Sequence, residues 1–200
     1  MLAVSEREDD FIIEIYGDLS QFNPELETDR LLGNAILTPK NVDMRKINEK
    51  AIQHLPGNIK EYKSINTVCD LRHACHYTEE YLQSLKINNF PEHNLQLKIG
   101  APIMVLRNID PLNGICNGTK GIITQLWPHL IEMETKDFNG IKKKVLIHRL
   151  SLIPSDPQIP IRFKRRQFPV SLCFAMTINK TEWDCIYRSL FLVMDKCTLL

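Results

Sequence analysis

An α/β protein carrying a small antiparallel β-barrel is the fold class these 200 residues predict, and three observations predict it. Ala35-Ile36-Leu37-Thr38 reads as a short buried strand, and Pro39-Lys40-Asn41 breaks it. Over Val42–Leu55 the apolar residues Met44, Ile47, Ala51, Ile52 and Leu55 then recur at three- and four-residue steps, the stripe of an amphipathic helix. Strand, tight turn, helix is the repeating element of an α/β domain. Next, Ile103–Arg107, Gly121–Leu126, Leu130–Glu134 and Lys144–Leu150 read as short strands, with turns at Asp110–Gly114, Trp127-Pro128 and Asn139-Gly140. Finally, Asn-Gly occurs at Asn113-Gly114, Asn117-Gly118 and Asn139-Gly140, a pair that tolerates the positive φ of a tight primed turn.

In chain order, Phe11–Tyr16 (FIIEIY) is a short apolar run, the end of a helix or a connector strand. Acidic loop residues follow as far as Thr28-Asp29-Arg30. Asn41 is placed to cap the helix after the first strand, and Pro56-Gly57 ends that helix. Thr78-Glu79-Glu80 opens a short helix with Tyr81, Leu82 and Leu85 on its inner face, which Asn88-Asn89 and Pro91 stop. After the β unit, Pro154–Pro160 reads as a linker. Ile161–Pro169 then interleaves Arg162, Lys164, Arg165 and Arg166 with Phe163 and Phe168, before an apolar strand over Val170–Ile178. Such interleaving suits phosphate holding with base stacking. It equally suits a solvated basic edge whose rings anchor it to the core.

An apolar share of 44% with 24% charged residues places the chain among globular proteins rather than disordered ones. The net charge of +1 conceals an asymmetry. Residues 1–33 are dominated by Asp and Glu, whereas residues 141–168 carry Lys142, Lys143, Lys144, Arg149, Arg162, Lys164, Arg165 and Arg166 against Asp156 alone. No apolar run approaches membrane-spanning length, and the start lacks a signal-peptide order, so no membrane partner is expected. The six Cys show no paired spacing, which suggests a reduced, intracellular protein. Cys69, His73, Cys75 and His76 crowd together, but the longer loop between ligand pairs that zinc sites favour is missing, so no metal is expected. Gly114–Lys120 (GICNGTK) is too short for a phosphate loop, and its Thr precedes Lys. The terminal Cys197-Thr198-Leu199-Leu200 fits a prenylation pattern by chance rather than context, since no strong polybasic run precedes it.

Longer strings carry a resemblance. Leu97-Lys98-Ile99-Gly100-Ala101-Pro102-Ile103-Met104, Leu106-Arg107-Asn108-Ile109-Asp110 and Cys116-Asn117-Gly118-Thr119-Lys120 resemble the petite-integration-frequency (Pif) family of superfamily-one DNA helicases, in the version borne by Helitron rolling-circle transposons. AILTPKNVDMRKINEKAIQHLPG with EYKS after it, Arg165-Arg166-Gln167-Phe168-Pro169, and Phe174-Ala175-Met176-Thr177-Ile178-Asn179-Lys180 are similar to further family motifs. The resemblance implies a partial RecA-like second motor domain with an inserted Src-homology-three-type barrel. Residues 11–90 would open the motor domain, 91–155 form the barrel, 156–180 return to the motor domain, and 181–200 make a divergent tail. After Lys180 the family has Ser-Gln-Gly-Gln, where this chain has Thr181-Glu182-Trp183-Asp184.

The family implies 5′-to-3′ DNA unwinding driven by ATP and Mg²⁺, in repair, recombination and telomere maintenance, with a nuclear or mitochondrial address. These 200 residues hold no Walker Lys with Ser/Thr and no acidic pair to position water. Phosphoryl transfer depends on such groups, so this stretch alone is expected to bind no cofactor and to hydrolyse no ATP. It would need the N-terminal RecA-like half and would act as a passive holder of single-stranded DNA. The contact candidates are Lys40, Arg107, Asn108, Asn117, Lys120, Arg149, Arg165, Arg166, Thr177, Asn179 and Lys180. Thr177, Asn179 and Lys180 come from the family's backbone-touching motif; the others rest on charge and placement. A non-catalytic binding module for a protein partner, and a transposon remnant without function, are the alternatives.

Overall fold

The computed structural model describes residues 2–21, 24–70, 77–136, 140–155, 159, 161–177 and 191–193. Helices α1 (Leu2–Tyr16) and α2 (Pro24–Gly33) precede strand β1 (Ala35–Thr38) and helix α3 (Asn41–His54). Strands β2 (Lys60–Lys63) and β3 (Ile65–Val68), helix α4 (Glu79–Ser84) and strand β4 (Asn94–Leu97) come next. Then follow β5 (Pro102–Val105), β6 (Lys120–Leu126), β7 (Leu130–Lys136), β8 (Lys142–His148) and β9 (Leu150–Leu152). The chain finishes with β10 (Phe163–Gln167), β11 (Val170–Leu172), β12 (Ala175–Thr177) and β13 (Phe191–Val193).

The α/β expectation holds. Strand β1 is buried throughout and lies between β12 and β13, both parallel to it. Helix α3 turns Ile47, Ala51 and Ile52 into the core, the stripe its periodicity predicts. Its first residue is Asn41, so the cap position falls to Lys40, whose side chain caps nothing. The apolar run Phe11–Tyr16 is the end of α1, which buries Ile12, Ile15 and Tyr16. The acidic loop expected after it is instead largely α2, because Thr28 and Leu31 supply an inward face three residues apart.

The antiparallel unit contains the four expected strands and a fifth, in the order β11-β5-β6-β7-β8. Among the described residues its end strands are β11 and β8, so the sheet does not close on itself as a barrel would. The fifth strand arises because Val170–Ile178 is not one strand. β11 pairs with β5, the chain bends at Cys173-Phe174, and β12 joins the parallel sheet. The Cys173 N–H donates to Pro102 O at 3.0 Å and the Ile36 N–H to Phe174 O at 3.0 Å, one bond into each sheet. Among the Asn-Gly pairs only the glycines take positive φ, at 77° for Gly114 and 92° for Gly118, so neither turn is a two-residue primed turn. Asn139 lies outside the described residues. Gly121 is needed for another reason: a Cβ there would sit 2.7 Å from Glu134 O and against the Met133 side chain.

Candidate nucleic-acid interface

Lys40 and Thr177 share one end of the parallel sheet. Thr38 stands opposite Thr177 in register, both side chains are buried, and Lys40 is exposed at the turn that follows. The Thr38 hydroxyl donates to Lys40 O at 3.1 Å, which pins that turn. Ala35, Leu37, Met104, Leu106, Cys173 and Met176 form one apolar cluster, so this sheet packs directly on the end of β5. Asn179 and Lys180 lie outside the described residues.

Arg107, Asn108, Asn117 and Lys120 come together in the β5–β6 turn, and its hydrogen bonds explain their spacing. The Val105 N–H donates to Thr119 O (2.9 Å) and the Gly118 N–H to Val105 O (2.8 Å). Asn108 Oδ1 accepts from the Asn117 N–H at 2.8 Å, and Thr119 Oγ1 accepts from the Cys116 N–H at 3.0 Å while donating to Gly114 O at 3.1 Å. Asp110 accepts from the Asn113 N–H at 3.3 Å, closing a single turn of tight helix at Pro111–Asn113. Asn108 is thus a scaffold for the turn as much as an exposed amide. Arg107 is half-buried, with Nη1 donating to Leu106 O at 3.3 Å. Gly114–Lys120 leads into a strand, not a helix, in keeping with its rejection as a phosphate loop.

The remaining basic candidates separate. Strand β10 alternates strictly: Phe163, Arg165 and Gln167 face inward, Lys164 and Arg166 outward. Arg165 is wholly buried, which corrects its assignment as a DNA contact. Its Nε donates to Asn66 Oδ1 (2.8 Å), Nη1 to Pro91 O (3.0 Å) and Nη2 to Leu82 O (2.5 Å), between the rings of Phe90 and Phe163. Desolvation pulls its pKa down to about 10, so it stays charged at neutral pH. Phe163 and Phe168 are equally buried and stack on no base. Arg149 is half-buried; its guanidinium lies over Phe168 (4.9 Å) and Tyr62 (5.8 Å), with Nη1 donating to Lys63 O at 2.7 Å. Arg166 alone of the three is exposed.

The basic stretch is also less free than its composition implies, because acidic β7 neutralises basic β8. Lys142 reaches Glu134 at 2.9 Å and Lys144 reaches Glu132 at 3.1 Å across the ladder. Among the described residues no three His, Cys, Asp or Glu gather as metal ligands. Cys69 is exposed, while His73, Cys75, His76 and the terminal Cys197 lie outside the described residues. No described helix is long and apolar enough to cross a membrane.

Three positioning residues escape a charge-based reading. Asn48 pairs with the Ala175 backbone on both sides, accepting from N–H at 2.9 Å and donating to O at 3.1 Å. Lys98 is buried and donates to Leu55 O at 2.7 Å and to Gln53 O at 3.4 Å, satisfying carbonyls at the end of α3. Gln167 donates to Tyr62 O (2.7 Å) and His93 O (3.0 Å) and accepts from the Phe168 N–H (3.0 Å). A side chain that serves buried backbone is visible only once the fold exists.

His93 belongs to the same network, its Nδ1 lying 2.9 Å from the Ser64 hydroxyl. Desolvation, then Arg165 and Lys63, hold its pKa below the usual 6.5, against a smaller opposing pull from Glu79. The unfolded chain therefore protonates first on acidification, and stability falls as pH drops below 6.5 toward the folded value. Urea midpoints at about pH 7.5 and about pH 5.5 are expected to differ less in His93→Asn than in the parent chain.

A family model described as DNA helicase Pif1, 2B domain, matches residues 80–126, the stretch from α4 to the end of β6. The ATP-dependent DNA helicase PIF1 of Danio rerio is 24% identical over 180 residues, covering 88% of this chain and 26% of the relative. Pif1 of Bdellovibrio bacteriovorus is 26% identical over 179 residues, covering 90% of this chain and 36% of the relative. The chain thus spans only about a quarter to a third of the length of these curated relatives. Among solved structures, Pif1 helicase from Candida albicans superposes with a TM-score of 0.59 at 19% identity, over 87% of this chain and 41% of that one. Bacteroides Pif1 bound to single-stranded DNA superposes at 0.52 and 20% identity, over 88% of this chain and 40% of that one. The 2B signature thus falls on the turn that gathers Arg107, Asn108, Asn117 and Lys120, and the chain is similar to part of the Pif1 helicases over most of its own length.

Proposed function

We propose that this chain supplies the rear part of a 5′-to-3′ ATP-dependent DNA helicase: a second RecA-like motor domain carrying the 2B domain as an insert. In this reading it holds single-stranded DNA, while ATP and Mg²⁺ are bound by a front half with the Walker groups that these residues lack. The Helitron-borne origin and the nuclear or mitochondrial address belong to the same proposal. The observation that carries it is the apolar cluster of Ala35, Leu37, Met104, Leu106, Cys173 and Met176, which packs the parallel sheet bearing Lys40 and Thr177 against the end of β5 that leads into the Arg107–Lys120 turn. The loops that follow these packed strands are scaffolded by their own hydrogen bonds and offer cations and amides, the groups that contact phosphate and sugar. Arg166 and Arg149 are peripheral to that surface, and Arg165 is no part of it.

Fluorescence polarisation with labelled oligodeoxythymidine across a salt series tests this. Lys40→Ala and Arg107→Ala are each expected to weaken binding and to lower the salt slope by about one unit, with unchanged melting temperature. Salt-independent affinity, or slopes unmoved by both changes, would refute the assignment. Protein capture that survives nuclease and high salt would favour the binding-module alternative.

A further inference from the structure

We infer that the β6–β7 turn forms a second stacking site for an unpaired nucleobase, at the opposite end of the insert from the surface just proposed. The inference rests on the nucleic-acid reading of this chain but uses none of its residues. Trp127 is 38% exposed at the tip of that turn, with His129 exposed beside it and Ile59, 39% exposed, on the neighbouring β2 lead-in. An exposed indole in a flexible loop would mean little; here the backbone of the turn that carries it is held. The Trp127 N–H donates to Leu130 O at 2.9 Å, and Trp127 O accepts from the Tyr62 hydroxyl at 2.9 Å. Lys60 Nζ donates to Leu126 O at 3.1 Å, which fixes an ammonium one residue away from the indole. The exposed His148 stands opposite Leu130 in register, and half-buried Arg149 follows it.

This places an aromatic face beside a fixed cation, with the exposed imidazoles of His129 and His148 on the adjoining turn and strand end. Such a set suits a single-stranded nucleic acid, whose bases stack on aromatic rings while its phosphates meet cations. Acidic partners without rings would find the charge but leave the indole unused. The six residues of β6 that follow Lys120 separate it from this turn, a span of about 20 Å at roughly 3.3 Å per residue. A strand held at both ends of the insert would therefore bridge several nucleotides.

Trp127 and Trp183 are the two tryptophans, so Trp183→Phe leaves Trp127 as sole reporter. In the full chain carrying that change, a deoxythymidine oligomer of about 12 nucleotides is expected to quench the emission. Trp127→Ala is expected to bind the oligomer about tenfold more weakly than Trp127→Phe. Polarisation that reports binding while Trp127 emission stays unchanged overturns this site and leaves the Lys40–Arg107 surface standing. Absence of any oligomer binding overturns both. If Trp127→Ala fails to fold, the quench in the Trp183→Phe protein decides alone.

Discussion

Arg165→Ala is expected to cost about 3 kcal/mol of folding stability and to lower the melting temperature by about 6–12 °C in a chain of this size. The guanidinium ties three separate segments: Asn66 on β3, Leu82 in α4, and Pro91 ahead of β4. Removing it leaves buried acceptors without donors and opens space between the Phe90 and Phe163 rings. Arg165→Lys keeps a charge but offers one ammonium where three nitrogens bond, so it is expected to recover only part of the loss. Arg166→Ala, one residue on and exposed, is expected to stay within about 0.5 kcal/mol of the parent. Urea denaturation of the three variants reads all of this. A neutral Arg165→Ala would refute the structural role and return the residue to the surface.

The contrast between these neighbours marks where the sequence stops being legible. Arg165-Arg166 reads as one basic feature, yet strand alternation sends the first into the core and the second to solvent. Alternation could have been applied to Phe163–Gln167, but it requires knowing that both flanking phenylalanines face inward. Elements with a strong internal period were visible: α3 from its apolar stripe, β5 through β8 from short apolar runs between turns. Helix α2 was hidden because its acidic residues outweigh an inner face built on Thr28 and Leu31. Strands β2 and β3 were hidden because their burial alternates over only four residues each. The five-stranded sheet could not be anticipated because β11 arrives from residues 170–172, far along the chain from β5. In the candidate site, the β5–β6 turn was legible because local hydrogen bonds dictate it. The basic β8 was misleading because its counter-charges lie on β7, paired through a ladder that composition does not report.

Asn48→Leu is the other change with a large expected effect, again about 3 kcal/mol, and its cause is the edge of the parallel sheet. Among the described residues strand β12 is an outer strand of that sheet. The Ile36 N–H bonds Phe174 O, so the next residue, Ala175, points its own N–H and C=O away from β1. Asn48, reaching from α3, meets both with a single carboxamide and so takes the place of a neighbouring strand. Leucine has the same branched heavy-atom skeleton, somewhat bulkier, and neither polar group, so two buried backbone groups lose their partners while water stays excluded. Asn48→Ala leaves room for a water molecule and is expected to cost less than Asn48→Leu, an inversion of the usual cavity order. Asn48→Asp keeps the acceptor for the Ala175 N–H but sets a carboxylate against Ala175 O, and is expected to be worse than alanine at pH 7 and to improve on acidification. Because β12 carries Thr177 to the proposed interface, the leucine variant is also expected to lose DNA affinity at temperatures where it is still folded. Urea midpoints for the three variants, with oligomer polarisation at 10 °C, test the order. Equal stability for leucine and asparagine would show that the sheet edge needs no such partner.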